Sequence, residues 1–84
     1  MAAYQRYKNS VRLHNTFEDY KVPVEQRKWL MNRVRKLREA GYPTDELRKV
    51  IINEVQRKGV DWEKLLTLLL ELAKVIIPLI ISLL

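Results

Sequence analysis

The sequence predicts an all-α fold, made of an N-terminal arm, a basic helical hairpin and one long apolar C-terminal helix. Three observations carry that prediction. Glycine and proline are scarce, two and three residues in a chain of 84, which argues against a turn-rich β-fold and against a flexible low-complexity chain. Apolar residues in the middle of the chain recur at helical spacing. From Leu65 to Leu84 the sequence is almost unbroken Leu, Ile and Val, with Glu71 and Lys74 its only charges.

Residues 1–23 form an aromatic and basic arm. Tyr4, Tyr7 and Val11 have helical spacing, but His14, Asn15 and Thr16 interrupt the pattern, and Tyr20-Lys21-Val22 ahead of Pro23 reads as extended because residues before proline avoid the α region. Four of the seven aromatic residues (Tyr4, Tyr7, Phe17, Tyr20) lie in this arm, mixed with Arg6, Lys8, Arg12 and Lys21.

Residues 24–59 form the hairpin. The first helix, about 24–40, carries a stripe of Leu30, Val34 and Leu37 widened by Trp29 and Met31. Gly41 supplies its stop and Pro43 follows. The second helix, about 44–58, is expected to take Thr44 as N-cap, with Asp45 and Glu46 where the helix dipole favours carboxylates. Leu47, Val50, Ile51 and Val55 make its buried stripe, and Arg57 and Lys58 fall in the last turn. Gly59 ends it, and Asp61 is the expected cap of the third helix.

Residues 61–84 hold the apolar helix. Fourteen of the 20 positions from Leu65 to Leu84 are Leu, Ile or Val, and a helix of that length is about 30 Å long, the thickness of a bilayer core. Leu65, Leu66, Leu68, Leu69, Leu72, Ile76, Ile77, Ile80 and Leu83 are the candidate buried surface, in lipid or in an assembly. So much apolar surface calls for a large partner rather than for the rest of so short a chain. On an insertion scale the apolar residues supply roughly −4 to −8 kcal/mol, and Glu71 and Lys74 near mid-span return about 2.5 to 3.5 kcal/mol each. A lone helix would be a marginal anchor. The polar positions Thr67, Glu71, Lys74, Pro78 and Ser82 line one side, a seam along which helices of neighbouring copies would meet, Glu71 of one reaching Lys74 of the next. Pro78 is expected to kink the helix.

Charge is divided as sharply as hydropathy. Fifteen of the 16 basic residues and nine of the 10 acidic ones precede Leu65, and the net charge is +6. The run Arg27, Lys28, Arg33, Arg35, Lys36, Arg38 contains no acid and repels itself unless counter-charge arrives from elsewhere. With Arg6, Lys8 and Arg12 it makes a candidate surface for a polyanion, either nucleic acid held without sequence specificity or anionic lipid. The two-helix outline of 24–58 also fits a helix-turn-helix, the weakest of the readings.

The chemistry of enzymes finds no support. There is no cysteine and one histidine, His14. No glycine-rich phosphate loop, HExxH motif or nucleophile elbow occurs. No metal, cofactor or small-molecule substrate is expected. The N-terminal residues lack the apolar stretch of a secretory signal, so a membrane reading makes 61–84 a tail anchor with the basic part on the cytoplasmic or interior side. In charge architecture the chain is similar to filamentous-virus coat proteins, which join an apolar helix to a basic end in one short chain, with the order reversed here. The expected function is a non-enzymatic structural protein: a self-assembling coat or minor capsid or virion component, with its apolar helix packed in a shell or membrane and its basic N-terminal region facing nucleic acid or anionic lipid. The alternative is a tail-anchored accessory subunit of a membrane complex, with other protein subunits as partners.

Overall fold

The computed structural model describes residues 3–84. Among them the chain forms α1 (Ala3–Asp19), α2 (Val24–Glu39), α3 (Thr44–Arg57), a 3-10 turn (Val60–Trp62) and α4 (Glu63–Leu83), with no strand. The class is all-α and the C-terminal helix is long and apolar, as the sequence predicts. The first two residues of the 1–23 arm lie outside the described residues.

The remainder of that arm differs from expectation, because Ala3–Asp19 is one continuous helix through His14, Asn15 and Thr16. Two local facts account for it. The Thr16 hydroxyl donates to the carbonyl of Arg12 at 2.8 Å, inside the helix rather than against it. Leu13 and Phe17, one turn apart, are both buried, and tertiary packing of that pair overrides the weak propensity of the polar residues between them.

The first two joints are built alike. After α1 the amides of Lys21 and Val22 bond back to Glu18 and Phe17, and after α2 those of Gly41 and Tyr42 bond back to Arg38 and Leu37. Both are Schellman closures, each followed by proline. They differ at the residue that must turn left-handed: Gly41 has φ +92°, whereas the first joint places Lys21 at φ +56°.

Helix starts differ in detail from the expected caps. Pro43, not Thr44, holds the N-cap position of α3, and Asp61 lies within the 3-10 turn while Trp62 precedes α4; neither start has a side-chain cap hydrogen bond. Asp45 and Glu46 do occupy the first turn of α3, where they face the positive end of its dipole.

The apolar helix lies inside the chain's own fold. Leu65, Leu68, Leu69, Ala73, Ile76, Ile77, Leu79 and Ile80 of α4 form one core with Leu13 and Phe17 of α1, Leu30, Val34 and Leu37 of α2, and Leu47, Ile51 and Val55 of α3. This corrects the expectation that the helix needs a large outside partner. Each of the three preceding helices offers only a narrow apolar stripe, but all three stripes converge on α4 from different sides. Each fully buried Leu or Ile is stabilised by about 1.5–3 kcal/mol relative to exposure. Direction follows from the contacts. Trp62 meets Trp29 near the start of α2, and Leu84 lies by Arg35 and Arg38 near its end, so α4 runs alongside α2 in the same sense. α1 and α3 run opposite to it, as Arg6 near Leu83 and Lys58 near Trp62 require.

Within α4 the one non-helical residue is Leu72 (φ −129°, ψ 15°), six positions before Pro78. The break that divides α4 into two segments therefore lies at Leu72, whereas the sequence places the kink at Pro78, where the backbone stays helical.

Candidate functional site

Three regions bear on function: the outer side of α4, the basic surface and the two ends of the bundle. On α4, Thr67, Glu71, Lys74 and Pro78 are exposed and Ser82 is half-buried. The stripe read as an inter-helix seam is thus the solvent side of a helix whose other sides are covered. Its groups are used within the chain. The Tyr20 hydroxyl donates to Glu71 Oε1 at 2.8 Å, Ser82 accepts from Asn9 Nδ2 at 3.0 Å, and Thr67 donates to the carbonyl of Glu63. No Glu71–Lys74 ion pair forms among the described residues. The hydrogen bond to Glu71, followed by burial and the nearby carboxylates, raises the pKa of Tyr20 above its ordinary 10.0.

Of the nine candidate buried residues, Leu65, Leu68, Leu69, Ile76, Ile77 and Ile80 are in the core, while Leu66, Leu72 and Leu83 are partly covered against it. Leu70 and Val75 remain exposed beside the polar stripe. The stretch Val60–Leu83 is long and apolar enough to cross a membrane; its most apolar window has mean hydropathy 2.2, and 44% of that window is buried.

The basic run is partly compensated by other helices, contrary to its sequence appearance. Arg27 bonds the carbonyl of Val22 at 2.7 Å, lies 3.5 Å from Glu18 and stacks over Phe17 at 5.5 Å. Arg33 Nε lies 2.8 Å from Glu54, and Arg35 is 3.4 Å from Glu39. Glu18 and Glu54 arrive from α1 and α3, which spacing within the run does not reveal, whereas Glu39 stands one turn beyond Arg35 on α2 itself. Lys28, Lys36 and Arg38 are exposed and make no ion pair among the described residues. On α1, Arg6 donates to the carbonyl of Leu83 at 2.8 Å, Lys8 sits 5.5 Å from the Tyr4 ring centre, and Arg12 is exposed. The polyanion candidates therefore separate into tied residues, Arg6, Arg27, Arg33 and Arg35, and outward ones, Lys8 and Arg12 on α1 and Lys28, Lys36 and Arg38 on α2.

At the opposite end the sequence reading missed an aromatic junction. Trp29 and Trp62 meet edge to face with centres 5.3 Å apart, and Lys58 Nζ lies 4.8 Å and 4.6 Å from the two rings. The cation joins α2, the end of α3 and the approach to α4, a contact worth about 0.5–1 kcal/mol at an exposed site. Gln26, buried nearby, donates to the carbonyl of Asp61 at 2.8 Å. The only available signal was Trp and Lys clustering around Gly59, which carries no distance information.

Among the described residues no group of three His, Cys, Asp or Glu side chains is placed to hold a metal. His14 lies 3.6 Å from Glu18 on the open surface, a position without the enclosure that general acid–base work uses. No protein-family model, curated protein or solved structure matches the chain.

Proposed function

We propose that this chain is a non-enzymatic, membrane-associated structural protein: a cationic helical bundle that binds an anionic lipid surface and supplies α4 as its lipid-entering helix. The observation that carries the reading is the dual character of α4. It is long enough to span a bilayer, and its apolar surface is shared between a core and an outer side where Leu70 and Val75 stay exposed. The net charge of +6 supplies attraction to anionic headgroups.

This reading is preferred to a closed protein shell for a physical reason. The shell drew on three unmet needs: cover for α4, a partner for Glu71 and counter-charge for the basic run. α1–α3 cover much of α4, Tyr20 bonds Glu71, and Glu18, Glu54 and Glu39 meet Arg27, Arg33 and Arg35, which leaves Lys28, Lys36 and Arg38 for anionic headgroups. Self-assembly keeps a place inside the membrane reading. In lipid, where Tyr20 no longer covers Glu71, copies meet along Thr67, Glu71, Lys74 and Pro78, pairing the carboxylate of one with the ammonium of the next. A second reading, in which the outward cations hold nucleic acid inside a coat, draws on Lys28, Lys36 and Arg38 with Lys8 and Arg12.

The test is flotation of the purified chain with vesicles of phosphatidylglycerol or of phosphatidylcholine, followed by washes in high salt and then detergent. The proposal expects flotation with the anionic vesicles and residual binding that only detergent releases. Complete release by salt would reduce α4 to an ordinary core helix. Lys74→Leu separates burden from pairing: stronger retention marks the charge as a cost, and loss of cross-linked oligomers with retention intact marks the stripe as the pairing surface.

A further inference from the structure

We infer that the end of the bundle where α4 finishes is the docking surface for the anionic bilayer, an apolar tip set in a ring of arginines. The inference rests on the membrane reading above and adds which face approaches first. Two hollows flank the last residues of α4. One, of 480 Å³, is lined by Arg6, Tyr7, Met31 and Leu83 among others. The other, of 310 Å³, brings Arg35 and Arg38 beside Leu84. Arginines of α1 and α2 therefore stand on both sides of one apolar tip.

Chemistry selects the partner. Leu84 is 50% exposed and Tyr7 66% exposed, so apolar and amphipathic groups face outward together. Tyrosine rings and arginine side chains suit the headgroup layer, the ring lying at the acyl boundary and the guanidinium forking onto phosphate oxygens. Tyr4, 71% exposed with Lys8 over its ring, extends the same surface along α1. The one acid lining these hollows is Glu39, already 3.4 Å from Arg35, so the patch keeps a positive excess. An acidic protein would satisfy the arginines but not the leucines, whereas an anionic bilayer satisfies both.

The opposite end provides a built-in control. It exposes Val60 at 84%, more than any large apolar residue of the tip, and carries Lys28 and Arg57. Lys64 is exposed there as well, and Lys58 is held against the two tryptophans. Exposure of an apolar residue alone therefore predicts docking through Val60; the arginine ring predicts docking through Leu84.

Because the chain has no cysteine, single-cysteine variants Leu84→Cys and Val60→Cys can each carry one environment-sensitive fluorophore. With phosphatidylglycerol vesicles the probe at 84 is expected to shift to the blue and to be quenched by lipids spin-labelled near the headgroup, while the probe at 60 changes little. Arg6→Gln/Arg35→Gln/Arg38→Gln is expected to weaken vesicle affinity about 100-fold, against roughly tenfold or less for Lys28→Gln/Arg57→Gln at the far end. Binding with the probe at 60 quenched first, or equal loss in both charge variants, overturns the docking end and leaves the membrane reading intact. Absence of binding by the unsubstituted chain overturns both.

Discussion

α1 and α3 do the same geometric task with different means. Both run opposite to α4 and cover it, yet α3 does so with Leu47, Ile51 and Val55 at one-turn spacing, all essentially inaccessible, whereas α1 buries only Leu13 and Phe17. α3 begins with Asp45 and Glu46 and ends with Arg57, in accord with its dipole. α1 has the reverse polarity: no acid in its first turn and no base in its last, with Arg6 and Lys8 near its start and Glu18 and Asp19 at its end. Its grip on α4 is supplemented by three surface hydrogen bonds, Arg6 to Leu83, Asn9 to Ser82 and Tyr20 to Glu71. The joint behind α3 turns at glycine, that behind α1 at Lys21. The difference teaches that α3 covers α4 by apolar burial alone, whereas α1 covers it with a smaller apolar pair joined to polar contacts, and that α1 carries the aromatic and basic outer face.

The largest expected effects come from the core. Ile51→Ala should cost about 2–5 kcal/mol in urea unfolding and lower stability cooperatively throughout the bundle. Leu13→Ala removes similar volume and should cost about 2 kcal/mol, at the low end of the same range, with hydrogen exchange speeding in α1 before α2 to α4. Should Leu13→Ala melt all four helices together, the two covers are equivalent and the contrast drawn above is wrong.

The joints should respond in opposite directions. Lys21→Gly relieves a left-handed backbone that costs an L-residue about 1–2 kcal/mol, less the extra freedom glycine gives the unfolded chain, for a net gain of about 0.5–1 kcal/mol. Gly41→Ala has room for the new Cβ but must hold φ at +92°, so it should lose about 1 kcal/mol. Thermal unfolding of both variants measures the pair. A Lys21→Gly variant less stable than the parent would show that the lysine side chain holds the joint together.

The smallest effect concerns Tyr20. Its pKa is raised in the fold, so the neutral phenol is the form the fold favours. The associated stability is complete below the unfolded value near 10 and is lost as pH climbs through the raised folded value. Tyr20→Phe should lose that small contribution at neutral pH and with it the alkaline dependence, so that the two proteins converge as pH climbs, as followed by thermal unfolding across a pH series. An alkaline transition identical in the two proteins would locate it elsewhere.

Much of the fold was legible because it rests on local signals. Scarce Gly and Pro, together with apolar periodicity, suffice for the helical class, and the density of Leu and Ile from Leu65 onward suffices for the long apolar helix. What the sequence hid was where that helix goes. Leu30, Leu47 and Phe17 each look like part of a narrow stripe, and nothing along the chain says that three such stripes close on one rod. Local reading also misjudged Ala3–Asp19, where burial of Leu13 and Phe17 decides for helix against His14, Asn15 and Thr16. The compensation of Arg27 by Glu18 and of Arg33 by Glu54 spans nine and 21 residues, beyond any spacing rule. The polar residues Thr67, Glu71, Lys74 and Pro78 of α4 are exposed, and sequence offers no means of telling a helix that pairs with copies of itself from one that faces water.

Amide hydrogen exchange resolved along the chain, in buffer and on phosphatidylglycerol vesicles, tests most directly whether α4 divides its time between protein and lipid. The account predicts that α3 and α4 are the slowest segments in buffer. On vesicles α4 should slow further, while amides of α1 to α3 exchange faster once their shared core partner has left. An unchanged pattern in all four helices, on protein that has demonstrably bound, would mean that α4 never leaves the bundle.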